Sequence, residues 1–235
     1  MPCSKSSQWG AAGFDGAGKT SRWIATCWHK RTPNAQICFL AQASGDSADY
    51  TSCLLSGISD AAVRAVAPGA VQPAHRRHPG FLLEQDVIYV GGGNTKSMLA
   101  LWREWGLDTI LLNAAANGTV LAGISAGSIC WFERPFSDSI YGKLVSLYGL
   151  GYLPGSCSPH YDGEAMRRPT YQRMIAAGEI PAGVAFDDGA AGHYVDGRLA
   201  RVVSSRPNAK GYSVERDGDQ VRETVLETHY LLEGS

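Results

Sequence analysis

Residues 119–132 read TVLAGISAGSICWF: an apolar run, a turn of small residues around one serine, then the start of an apolar helix. Few folds accept that succession. A strand apolar on both faces is covered on both, and a helix starting at its end carries the chain back over the sheet. The same grammar occurs upstream. Asp86–Val90 (DVIYV) runs into Gly91-Gly92-Gly93-Asn94, and Thr95–Trp105 then carries Met98, Leu99, Leu101, Trp102 and Trp105 at helical spacing. Gln36–Ala41 (QICFLA) reads as another buried strand, 47–57 and 108–116 as helices, and 67–80 as a loop rich in Pro, Gly and His. Residues 126–132 begin a helix, and 164–177 form another. After Pro181 the chain turns strand-rich, at 182–187, 191–195, 198–204, 210–216 and 221–227, with turn signals at Asp196-Gly197 and Asp217-Gly218. Strands alternating with helices predict an α/β fold: a three-layer αβα sandwich with a mainly parallel sheet and antiparallel C-terminal strands.

A chain of 235 residues with 44% hydrophobic content suits one domain over 1–235, or at most one with a small appendage. The net charge of −1 argues against nucleic acid or a membrane surface as partner. The one basic cluster, AHRRH at 74–78, reads as a solvated loop. Cys3, Cys27, Cys38, Cys53, Cys130 and Cys157 are scattered without a C-x-x-C pair, as expected of reduced thiols. The N-terminus has no apolar signal-peptide core, and no run of about 18 apolar residues occurs. The expected location is the cytoplasm. Monomer and homodimer both stay open.

Gly123-Ile124-Ser125-Ala126-Gly127 fits G-x-S-x-G between a strand and a helix. In that elbow the serine sits on a strained turn, its Oγ presented at the carboxyl end of the strand. The Ala126 N–H then points where an oxyanion would form. A nucleophilic serine needs a base. Of the six histidines, His160 in SCSPHYDGE is the best placed, in a stiff loop after Pro159. Cys157-x-x-His160 has no companion pair, so no metal is expected. The base needs an orienting carboxylate. Asp187-Asp188-Gly189 ends an expected strand, and only one of those neighbours can face the histidine. Asp162 and Asp138 are alternatives. The triple glycine before Asn94 offers backbone N–H groups at the same sheet edge. A dinucleotide site there fails, because Lys96 stands where G-x-G-x-x-G wants glycine.

Together VGGGNT (90–95), GISAGS (123–128), PHYDGE (159–164) and FDDGAA (186–191) resemble peptidase family S51, the dipeptidase E (aspartyl dipeptidase) group that also includes cyanophycinases. The resemblance spans roughly residues 36–216. It implies a flavodoxin-like sandwich related to class I glutamine amidotransferases, with serine where those carry cysteine. It implies Ser125 as nucleophile, His160 as general base, Asp188 as the acidic third member, and Gly93 and Ala126 as oxyanion donors, with no cofactor. The expected substrates are short peptides, dipeptides with N-terminal Asp foremost. Asn94 and Arg168, with Arg167 beside it, are candidates for holding substrate, because a guanidinium suits an acidic side chain. An amidase, a cyanophycinase-like isopeptidase and an inactive binding relative are the alternatives.

GFDGAGKT at 13–20 satisfies the phosphate-loop pattern. The CSKSSQW before it is a poor buried strand, and no apolar run ending in a magnesium-binding Asp follows. The match therefore reads as accidental. Trp9–Phe14 instead resembles the glycine-rich first turn of the family, after an unusually polar first strand.

Overall fold

The computed structural model describes residues 8–12, 36–52, 64–66 and 80–231. Strands β1 (Gln8–Ala12), β2 (Gln36–Leu40), β3 (Arg64–Val66), β4 (Val87–Val90) and β5 (Val120–Ile124) lie parallel, in the spatial order β1-β5-β4-β2-β3. Between them run α1 (Gly80–Leu83), α2 (Thr95–Glu104) and α3 (Leu107–Ala116). Every residue of β4 and β5 is buried, as a parallel strand covered on both faces must be. Alternate residues serve opposite layers. Ile88 and Val90 join a core with Met98, Trp102, Leu111 and Trp131, while Val87 and Tyr89 face Phe39 and Ile124 on the other side.

A single helical turn, α4 (Ala126–Ile129), follows β5, and the chain then builds a second, six-stranded sheet. β6 (Phe132–Ile140), β7 (Lys143–Ser146) and β8 (Leu153–Ser158) open it. Helix α5 (Arg167–Ala176) leads to β9 (Gly183–Phe186), parallel to β8. β10 (Ala190–Val195) and β11 (Arg198–Ser204) return to the first sheet, where β10 lies antiparallel beside β1. The hairpin β12 (Gly211–Asp217) and β13 (Gln220–Leu226) completes the second sheet, and β14 (Thr228–Tyr230) edges the first. Under the second sheet, Phe136, Tyr161, Tyr171, Ile175, Tyr212 and Val214 form a separate cluster.

The αβα expectation and its parallel sheet hold, as do the C-terminal strands, which divide between two sheets. Two expectations need correction, and one part of the fold carried none. The helix at 126–132 ends after Ile129, and Phe132 already belongs to a strand. The second sheet's β6, β7 and β8 carried no expectation. Gln8–Ala12 is a strand between β10 and β5, although Trp9–Phe14 reads as a turn. Backbone partners on both sides outweigh its weak strand character. The phosphate-loop match at 13–20 and the basic cluster at 74–78 lie outside the described residues. Cys38, Cys130 and Cys157 are buried free thiols, and burial pushes Cys38 up to about 12. Among the described residues no helix is long and apolar enough to cross a membrane.

Candidate active site

Ser125 sits between β5 and α4 with φ 52° and ψ −117°, in the positive-φ region that costs a non-glycine residue about 1–3 kcal/mol. Two glycines make the turn possible. A Cβ on Gly123 would lie 2.1 Å from the Gly127 carbonyl oxygen, and one on Gly127 would lie 2.2 Å from the Val90 carbonyl oxygen. Ser128 steadies the turn, its hydroxyl donating to the Ser125 carbonyl at 2.8 Å.

The β4–β5 register pairs Val90 with Gly123, which sets the glycine loop beside the serine. A Cβ on Gly92 would come within 3.2 Å of Ser125 Cβ. The N–H groups of this loop are almost all engaged. Gly91 donates to Leu40 (2.9 Å), Gly92 to the Tyr50 hydroxyl (3.2 Å), Asn94 to Ala43 (2.7 Å) and Thr95 to the Ser139 hydroxyl (2.8 Å). Gly93, at φ 136°, is the exception, its N–H having no acceptor among the described residues. The Ala126 N–H, at the start of α4, has none among the described residues either.

His160 and Asp188 come from the second sheet. Adjacent parallel strands β8 and β9 end side by side, Ser158 level with Ala185, and the Tyr161 N–H donates to the Phe186 carbonyl at 3.0 Å. His160 Nδ1 lies 2.7 Å from Asp188 Oδ1, and Nε2 lies 3.0 Å from Ser125 Oγ. A carboxylate only accepts, so Nδ1 carries the proton and Nε2 presents a lone pair to the hydroxyl. The histidine side chain is 15% exposed and the aspartate 30%. A hydroxyl bonded to an imidazole that a carboxylate holds in turn can act as an oxygen nucleophile.

The other carboxylates weighed for the base are each engaged elsewhere. Asp187 turns inward, accepting from the Lys210 N–H (2.9 Å) and the Tyr212 hydroxyl (3.1 Å), and burial raises its carboxyl above the usual range. Asp162 accepts from the Asp188 N–H at 2.8 Å. Asp138 lies 3.8 Å from Arg167.

The two expected substrate contacts are already engaged inside the chain. Asn94 caps α2, accepting from the Ser97 N–H at 2.9 Å, and its amide donates to the Ser139 carbonyl at 3.1 Å. Arg168 pairs with Glu223 and stacks over Tyr161 and Tyr212, 5.3 and 5.1 Å from their ring centres. Arg167 is buried against Glu164, 2.7 Å away. Sequence reading missed Tyr50, Ser139, Arg206 and Glu223, since each works across tens of residues of chain with no local pattern to mark it. Among the described residues no three His, Cys, Asp or Glu side chains converge as metal ligands.

The model of the family described as peptidase family S51 matches residues 11–202. An uncharacterized peptidase, YgaJ of Bacillus subtilis (strain 168), is 46% identical over 196 residues, 83% of this chain and 85% of its own. Peptidase E of Streptomyces coelicolor is 31% identical over 54% of this chain and 51% of its own length. The solved structure of a peptidase from an acI-B1 Actinobacterium matches with a TM-score of 0.69 at 12% identity, over 95% of this chain and 98% of that one, a likeness of fold.

Proposed function

Because this chain belongs to peptidase family S51 and is a serine-type peptidase, we propose that Ser125, His160 and Asp188 are its catalytic triad, acting on short peptides through an acyl-enzyme. The observation that carries the reading is the unbroken hydrogen-bond chain from Ser125 Oγ through the imidazole to Asp188. Oγ attacks the scissile carbonyl carbon as its proton passes to His160 Nε2. The oxygen of that carbonyl becomes an oxyanion, held by the N–H groups of Gly93 and Ala126. Collapse breaks the C–N bond, and the leaving amine takes the proton from Nε2. Water then repeats the sequence on the acyl-serine. Elimination supports the oxyanion assignment, since the neighbouring N–H groups of the glycine loop already have acceptors.

Dipeptides with an N-terminal Asp are the proposed substrates, on the strength of the family resemblance. Arg168 would reach an acidic side chain only by exchanging Glu223 for it. Unchanged preference for aspartyl substrates in Arg168→Ala would remove that residue from substrate binding.

A dipeptide-library assay comparing wild type with Ser125→Ala tests the whole reading. The expected result is cleavage of Asp-X peptides and fluorophosphonate labelling, both abolished in the variant. Labelling without cleavage of any dipeptide would move the substrate to isoaspartyl or amide linkages. Absence of both would make the chain a binding relative. Micromolar ATP or GTP binding with magnesium, read by calorimetry, would reinstate the phosphate-loop reading of 13–20.

A further inference from the structure

Asp188 is held from behind as firmly as it holds His160. Its N–H donates to Asp162 Oδ1 at 2.8 Å, and its carbonyl accepts from Arg206 Nε at 2.9 Å. The same guanidinium closes the ring, pairing through its terminal nitrogen with Asp162 Oδ2. Asp162 lies two residues past His160, and Arg206 lies in the connection between β11 and β12. One fork therefore ties together three segments distant in sequence. The next turn is fastened too, since the Ser205 N–H donates to the Gly189 carbonyl at 2.8 Å.

Gly163 completes the arrangement. A Cβ there would lie 2.2 Å from Asp188 Oδ2 and 3.1 Å from its Cγ. Gly163 does not need glycine for its backbone, because its φ is not positive. What it supplies is room for the carboxylate that His160 uses.

We propose that Asp162 and Arg206, with the niche left by Gly163, form a positioning clamp that sets the Asp188 carboxylate against His160. The inference rests on the triad reading above. The clamp works through geometry. Arg206 reaches a backbone carbonyl and a carboxylate at once, which a lysine ammonium on a flexible stem cannot reproduce. A displacement of about 1 Å in such an assembly costs up to about a hundredfold in rate. Among the described residues, the charged groups bonded to Asp188 are His160, Asp162 and Arg206.

The test uses the full chain and two readouts that need no known substrate. One is the rate at which a fluorophosphonate labels Ser125. The other is the low-field proton NMR resonance of the His160 Nδ1–H bonded to Asp188. Asp162→Ala, Arg206→Ala and Gly163→Ala are expected to label about tenfold to a hundredfold more slowly and to lose or broaden that resonance, with circular dichroism and Tm retained. Arg206→Lys should behave like Arg206→Ala, and the Asp162/Arg206 double variant should be no slower than either single one, because both break one device. Wild-type labelling and resonance in the single variants would overturn the clamp. So would full rescue by lysine, or losses that multiply in the double variant. A wild type that shows the resonance but resists labelling would count against the catalytic reading, and the resonance in the variants would still decide the clamp. Should Asp162→Ala fail to fold, Gly163→Ala and Arg206→Lys, which remove no buried partner, carry the decision.

Discussion

Gly123 and Gly127 show how far single residues set this site. Each would place a Cβ about 2 Å from a backbone carbonyl oxygen, and neither obstacle is a side chain that can swing away. Gly127→Ala is therefore expected to destabilise the fold by about 1–3 kcal/mol, read by urea denaturation, and to displace Ser125 as well. Asp187 illustrates a different constraint. Burial raises its carboxyl, so the folded protein keeps this proton where the unfolded chain has released it. Its contribution to stability is then full below the unfolded value and is lost as pH rises through the folded one. Asp187→Asn removes that titration. Its Tm relative to wild type should climb as pH rises from the ordinary aspartate range, about 3.9, and a constant offset would contradict the sign argued here. Ser125 and His160 were legible as single residues because G-x-S-x-G and the Pro159-His160 loop are local patterns. Choosing Asp188 over Asp187 needed the family resemblance, since alternation says only that the two neighbours diverge.

At the scale of elements, the glycine loop and helix α2 act as one piece. Asn94 caps the helix, Ser139 from β6 holds both Asn94 and Thr95, and Ala43 accepts from the Asn94 N–H. Asn94→Ala should cost about 1 kcal/mol through the lost cap, measured by thermal or urea unfolding. A substrate-binding role would add a rise in KM beyond that loss of stability. β4, β5, α2 and α3 were legible because their apolar residues recur at the period of the element. β6 was hidden. FERPFSDSI is polar, and Pro135 removes a backbone donor, yet the strand pairs with β8 on one side and β7 on the other. β1 was hidden for the opposite reason, since its place between two other strands is a property of the sheet and not of its own five residues.

Across the whole molecule, the C-terminal hairpin reaches back to the site. Glu223 in β13 accepts from Tyr161 and Gln172, each at 2.7 Å, and pairs with Arg168. Tyr161 directly follows His160, so a carboxylate 62 residues away helps fix the loop that carries the base. Glu223→Ala leaves three donors without their acceptor. It should cost about 1–3 kcal/mol of stability and slow Ser125 labelling, while Glu223→Gln, whose one amide oxygen can still accept from Tyr161 and Gln172 but whose NH2 then faces Arg168, should recover only part of both.

The α/β class, the strand–turn–helix carrying Ser125, the glycine loop and His160 as candidate base were determined by the sequence itself. Each rests on short-range periodicity or on motifs a few residues long, which the chain carries wherever it folds. Tertiary structure alone decided that Ser125 from one sheet meets His160 and Asp188 from another, and that, among the described residues, Gly93 is the loop N–H left without a partner. It also decided that Arg168 faces Glu223 and that Asp162 and Arg206 close around Asp188. Those relations depend on register and on hydrogen bonds between residues tens of positions apart, and nothing local in the chain encodes either.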